Sequence, residues 1–287
     1  MRIHNVTVPS NFNLFCFGDV HEGTFAKVDE GWRMCLDMLG EEYEGVKHNI
    51  AVDHGDIIES VSVDHPHYDG ITTEGNVYQQ MQTAMKDRWP LRKKFAVIMD
   101  GNHPMRFWKF FGPGKPALTE TVCNDLGVKY GGFVAVLNYV DKKGKRMFGH
   151  YITHPTRGSM SSRVDDPKRR KLNLKLAVKK KLRDQVGDCI LMSVGHFHKL
   201  VYCEPEQELY MENDGAKLHS RYTAPRKTHG FIHPDHRHYL CTGSFHRTFG
   251  DGYDTYAEMA GYNPVELGFY IVKVRDRAIE GIDEIII

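Results

Sequence analysis

Five short stretches of this chain end in side chains that hold metals well: 19-DVH-21, 53-DHGD-56, 101-GNH-103, 151-YITH-154 and 195-GHFH-198. Each follows an apolar run, and most sit beside a glycine. Asp, Asn and His without cysteine suit divalent cations such as manganese, iron or zinc. The chain carries 17 histidines in 287 residues, and metal ligation is the first use to consider for such a number. One polar strand tip is unremarkable. Five in one chain imply a shared site.

The pair His196 and His198 poses the question most sharply. On a strand, residues i and i+2 face the same way. Both rings would then point at one object, with Phe197 on the packed side. The plain alternative is a half-buried strand with two ordinary polar residues.

The elements that must position these tips follow from the apolar pattern. Strands are expected at 13–19, 49–56, 95–103, 189–198, 199–203, 238–245 and 266–274. Helices are expected at 28–39, at 77–89 with a stop at Pro90, and near 116–127 with a closing glycine. Segments 133–140 and 146–154 flank 141-DKKGK-145 as a hairpin. A basic helix covers roughly 166–186; read as a solvated helix face, it turns Leu172, Leu176, Leu182 and Val186 inward. Strand–helix alternation followed by hairpin-like pairs implies an α/β protein with mixed sheets. One domain spans 1–287, with an insertion at 204–236. In such sheets ligands bind at the C-terminal ends of strands, which is where the polar tips lie.

Composition is that of a globular protein, with 41% hydrophobic and 26% charged residues. No run approaches the roughly 18 apolar residues of a membrane helix. The N-terminal MRIHNVTVPSNF has no apolar signal core. A cytoplasmic chain without a membrane role is expected. The six scattered cysteines form no CxxC pair and suit reduced, buried thiols.

In order and type, the blocks DVH, GDIIE (55–59), GNH, YITH and GHFH resemble the calcineurin-like metallophosphoesterase superfamily. The resemblance covers about the first 200 residues. The later 241-CTGSF-245 is similar to the Gly-Ser strand of its nuclease-type members. It implies a two-sheet mixed β-sandwich flanked by helices, in four α/β/β/α layers. It also implies two divalent cations, manganese first, with iron, zinc, nickel or magnesium as alternatives. Carried over, Asp19, His21 and His198 hold one cation, Asn102, His154 and His196 hold the other, and Asp56 bridges them. A metal-bridging hydroxide would attack phosphorus, with His103 as general acid. Pro104 stands where an acidic residue commonly follows GNH, so another carboxylate is needed to orient His103. Glu59 replaces the more common Asp. Ser60 and Val61 depart from the protein-phosphatase pattern and argue against that activity.

Other polar residues allow two readings. His54 is a partner of the site or a structural histidine. His150 shares a strand face with His154 but lies away from the tip, which favours a hydrogen-bonded core role. His65 and His67 fall in a loop that permits substrate contact or plain solvation. Arg106 follows GNH closely and is a candidate phosphate-binding residue. Segment 165–184 holds nine basic and three acidic residues, about +6 in a chain of +1. It serves as a phosphate-backbone track or as a solvated helix face. Region 204–236 is a cap over the site, an oligomerisation element or a surface loop.

The expected function is a phosphodiester hydrolase, with DNA or RNA as the leading partner. A small-nucleotide phosphodiesterase or pyrophosphatase is the alternative within that class. A non-catalytic binding scaffold is the alternative outside it.

Overall fold

A computed structural model describes residues 1–61, 73–108, 116–223, 230–250 and 252–287. His65, His67, Arg226, Lys227 and His229 lie outside the described residues. The architecture is mixed α/β, with two large mixed sheets, as the strand–helix alternation predicts.

The first sheet is built from the apolar runs that carry the early tips. Strands β1 (Arg2–Thr7) and β2 (Phe12–Phe17) precede helix α1 (Asp29–Gly40). Then come β3 (Asn49–Asp53), helix α2 (Val77–Arg88) and β4 (Phe95–Met99). Every residue of β2, β3 and β4 is buried, as parallel strands covered on both faces require. A short helix α3 (Asn102–Met105), helix α4 (Leu118–Leu126) and β5 (Tyr130–Gly132) follow. Strands β13 (Gly268–Arg275) and β14 (Ala278–Ile286) complete the sheet in the order β14-β13-β2-β3-β4-β5.

The second sheet has the order β1-β6-β7-β8-β12-β9. Its members are β6 (Val134–Val140), β7 (Arg146–Thr153), β8 (Leu191–Val194), β9 (Leu200–Cys203) and β12 (His238–Thr242). The β6–β7 pair is the antiparallel hairpin expected around 141–145. Helix α5 (Pro167–Leu182) joins the parallel neighbours β7 and β8. Two further strands, β10 (Leu209–Asn213) and β11 (Leu218–Tyr222), form a separate two-stranded sheet within the expected insertion.

Packing follows the alternation of side chains. Leu14 and Cys16 of β2 join Val52 and Val97 against Ala135, Leu137, Ile152 and Leu240 of the second sheet. Phe15 and Phe17 point the other way, onto Trp32, Cys35 and Leu39 of α1. Val178 and Leu182 of α5 pack on Met192, Val194 and Tyr239. All six cysteines are buried and unpaired.

Several boundaries differ from the expectation. Helix α2 ends at Arg88, and Pro90 lies in the following 3-10 turn rather than at the stop. The inward face of α5 is also different. Leu182 and Val186 pack inward, joined by Leu174 and Val178. Leu172 and Leu176 stand outward instead, 53% and 52% exposed. A helix turns by about 100° per residue, so 174, 178 and 182 share a stripe that 172 and 176 do not.

Candidate metal centre

Asp19 and His21 follow β2, Asp56 follows β3, Asn102 and His103 follow β4, and His154 follows β7. His196 and His198 follow β8. That strand ends at Val194, so the pair lies in the turn beyond it and not on a strand face. Both have positive φ, 77° and 50°. Strand periodicity therefore does not place these two rings; backbone turning does. Phe197 between them is buried with Met192 and Val194, on the packed side as expected.

The turns are stitched to one another. Asp19 N–H donates to the Gly55 carbonyl (2.9 Å), and His21 N–H donates to the Asp56 carbonyl (2.9 Å). His103 N–H donates to Asp56 Oδ1 (2.9 Å). His196 N–H donates to the Asp19 carboxylate (2.9 Å). Two glycines allow this closeness. A Cβ at Gly101 would overlap the Asp56 carboxylate, and one at Gly195 would stand 2.9 Å from the His54 carbonyl.

The predicted ligands come together in two groups. Asp19, His21 and His198 present donor atoms within 4.8 Å of one another, and so do Asp56, His154 and His196. His21 Nε2 and His198 Nε2 face each other at 3.0 Å. In the second group, Asn102 Oδ1 lies 2.6 Å from His196 Nδ1 and 3.1 Å from His154 Nε2. Asp56 Oδ2 is 3.2 Å from His154 Nε2 and 4.0 Å from His21 Nε2, between the two groups.

Hydrogen bonds from behind fix which nitrogen faces inward. His154 Nδ1 lies 2.6 Å from the His54 carbonyl, which only accepts, so Nδ1 carries a proton and Nε2 is the nitrogen turned toward Asp56 and Asn102. His21 Nδ1 lies 2.7 Å from Glu59 Oε2, with the same result. Such backing is how metal-ligating histidines are oriented.

Glu59 also reaches His103. The His103 Nδ1 lies 2.8 Å from the Glu59 carbonyl and 3.3 Å from its Oε1. Glu59 is thus the carboxylate that Pro104 does not supply. His103 Nε2 faces Arg106 Nη2 at 3.4 Å. Arg106 Nη1 is buried without a hydrogen-bond partner among the described residues.

The electrostatics favour cations. Burial opposes charge on Asp19, Asp56 and Glu59, yet each carboxyl is held below its ordinary range, Asp56 and Glu59 well below. The opposing groups are histidines: His198 and His154 for Asp19, His154 and His103 for Asp56, His103 and His21 for Glu59. Burial would depress His154, but the Asp56 carboxylate outweighs it and raises the ring to about 9. For His103, burial is likewise outweighed, by Glu59 and then Asp56. His196 goes the other way, down to about 4, through burial and the neighbouring His154. Imidazoles and the backbone N–H groups of His196 and His103 face these buried carboxylates, a setting that a divalent cation would complete. The donors fit one. They are carboxylate oxygens and imidazole nitrogens that converge without cysteine, the donor types a hard-to-borderline divalent cation takes.

Neighbouring histidines take other roles. The His54 ring bonds to the Phe17 carbonyl (3.0 Å) and Ser193 Oγ (2.6 Å). It is structural, while its carbonyl supports His154. His150 bonds to Ser193 Oγ (2.6 Å) and Tyr139 (3.2 Å), a core histidine as expected.

Sequence reasoning missed His246. Its ring centroid lies 5.1 Å from His21 and 5.7 Å from His198. Burial, with His21 and His198, pushes it down to about 3. The signal was present, since His246 directly follows the CTGSF segment. Ser244 of that segment donates to the Asp19 carbonyl (3.1 Å) and accepts from His246 N–H (2.9 Å).

The insertion is anchored on α5. Glu204 pairs with Lys175 at 2.7 Å, and Asp235 pairs with Lys179 at 2.6 Å.

No protein-family model and no curated protein matches this chain. No helix among the described residues is long and apolar enough to cross a membrane.

Proposed function

We propose that this chain is a two-metal phosphodiesterase of the calcineurin-like metallophosphoesterase type. One observation carries the reading: two groups of Asp and His donors meet on a single buried carboxylate, Asp56. The two mixed sheets with helices on their outer faces are compatible with the four-layer arrangement of that superfamily.

Asp19, His21 and His198 would hold one cation, and Asn102, His154 and His196 the other, with Asp56 shared. A shared carboxylate lowers the repulsion between two dications. When bound, the pair supplies Lewis acidity toward phosphoryl oxygen and acidifies the attacking water.

The remaining roles belong to side chains alone. His103 keeps a proton beside Glu59 and Asp56 and delivers it to the departing oxygen. Its Nδ1 is tied to Glu59, so Nε2, which faces Arg106, is the atom that reaches substrate. Arg106, whose Nη1 has no hydrogen-bond partner among the described residues, binds a non-bridging phosphate oxygen.

The test is hydrolysis of bis-p-nitrophenyl phosphate with Mn²⁺, Zn²⁺, Ni²⁺ or Mg²⁺ supplied. Wild type should turn it over with at least one, and Asp56→Asn should not. A wild type inert with all four, or an active Asp56→Asn variant, overturns the proposal.

A further inference from the structure

The residues of the centre differ in how far solvent reaches them. Asp19, His21, Asp56 and His154 are buried and form its floor. Asn102, His103, Arg106, His196, His198 and His246 are half-buried and form the open rim, over which a substrate arrives. Each of these rim residues except His246 has a part in the phosphodiesterase reading.

His246 is held in place by its neighbours in the chain. Phe245 N–H donates to the Asp19 carbonyl (3.2 Å), and Arg247 N–H donates to the Ala26 carbonyl (2.8 Å). The Phe245 carbonyl accepts from Val28 N–H (2.7 Å), and its ring is fully buried against Phe17 and Trp32. The segment that carries His246 is thus tied to the loop that carries Asp19 and His21.

The His246 ring is not spent on the fold. His54 and His150 each bond through both ring nitrogens, as core histidines do. The ring of His246 forms no hydrogen bond with the described residues. Nor does it join the ligands. Asp19, His21 and His198 present donor atoms within 4.8 Å of one another, and His246 belongs to no such group among the described residues. It stands one step outside, its centroid 5.1 Å from that of His21 and 5.7 Å from that of His198. A phosphate bound through its oxygens to a cation held there would occupy this outer layer.

The rim has two flanks about His21. On one, His103 packs on His21 at 4.4 Å between centroids, with Arg106 beside it. On the other, His246 packs on His21 and His198. Arg106 serves the first flank, and His246 is the side chain available for the second.

We infer that His246 is a substrate-binding residue of this centre, its imidazole donating a hydrogen bond to a phosphate oxygen on the His198 flank as Arg106 does on the His103 flank. This rests on the two-metal phosphodiesterase reading and adds a residue to it. A neutral imidazole carries one N–H, so the role requires no change of charge.

The experiment is calorimetric titration of the Mn²⁺-loaded full chain with inorganic phosphate, for wild type, His246→Ala, His246→Asn and His246→Gln. His246→Ala should bind phosphate about tenfold more weakly, the weight of one hydrogen bond to a charged group. Asn or Gln, whose amides can donate from near the positions of Nδ1 and Nε2, should recover most of the loss. Mn²⁺ affinity should be the same in all four, which also reports that each folds. On bis-p-nitrophenyl phosphate, the defect of His246→Ala should fall mainly on KM. Unchanged phosphate affinity in His246→Ala overturns the inference. So does rescue by neither amide, or a loss of Mn²⁺ affinity that accompanies the loss of phosphate. The two readings fail separately. Hydrolysis together with phosphate affinity indifferent to His246 sinks this inference alone. Phosphate binding that depends on His246, in a chain inert toward bis-p-nitrophenyl phosphate, sinks the phosphodiesterase reading alone.

Discussion

Glu59 Oε2 lies 2.7 Å from His21 Nδ1, and this contact decides which nitrogen of His21 turns toward His198 and Asp19. Glu59→Gln would let an amide N–H face that nitrogen and permit the other tautomer. Loss of such an outer partner typically weakens metal binding about 10- to 100-fold. Calorimetric titration with Mn²⁺ or Zn²⁺ measures this. An unchanged affinity would remove Glu59 from the support of the centre.

His103 should behave differently from its neighbours. His103→Asn should retain the metals while slowing turnover about 10²- to 10⁴-fold on a phosphodiester with an alkyl leaving group. The defect should be much smaller on bis-p-nitrophenyl phosphate, because nitrophenolate departs without a proton. Equal defects on both substrates would contradict the general-acid role.

Arg88 and Asp53 form a fully buried ion pair at 2.8 Å, with the guanidinium 4.8 Å over the Trp32 ring. Arg88→Met leaves the Asp53 charge buried and unpaired. Urea denaturation should show a loss of about 3–5 kcal/mol. The double variant Arg88→Met/Asp53→Asn should recover part of it. A single variant as stable as wild type would mean that the pair adds nothing.

Acid should destabilise the fold through histidines away from the candidate metal centre. Burial lowers His150 well below its ordinary value and His238 from 6.5 to about 4. Both bind protons more weakly in the folded chain than in the unfolded one. Their contribution is therefore neutral above about pH 6.5 and turns against folding as pH drops toward about 4. Urea midpoints should fall across that window, and His238→Phe should flatten the fall. An unaltered slope in that variant would exclude His238.

The sequence carried the order of the strands because their apolar runs are continuous, as in β2 and β4. It did not carry the edge strands β1 and β14, which have no fully buried residue and only alternate weakly. The candidate ligands were readable because each tip pairs a glycine with a metal-binding side chain. His246 was marked only by following the CTGSF segment, and nothing else local distinguishes it from other loop histidines. Its place depends on the Ser244 contact to Asp19, 225 residues away. The outward Leu172 and Leu176 were misassigned for a similar reason. A helix with basic residues on every side gives no local sign of which stripe meets the sheet.

Nine non-glycine residues have positive φ among those described, and five are candidate ligands: Asp19, His21, Asp56, His196 and His198. Such backbone costs roughly 1–3 kcal/mol per residue and persists only where the surroundings enforce it. Glycine would sit there without strain but could hold no ion. Asp19, His21, Asp56, His196 and His198 therefore stand where the main chain, left to itself, would choose another residue. A more stable protein and a centre able to hold a cation would pull these five positions in opposite directions.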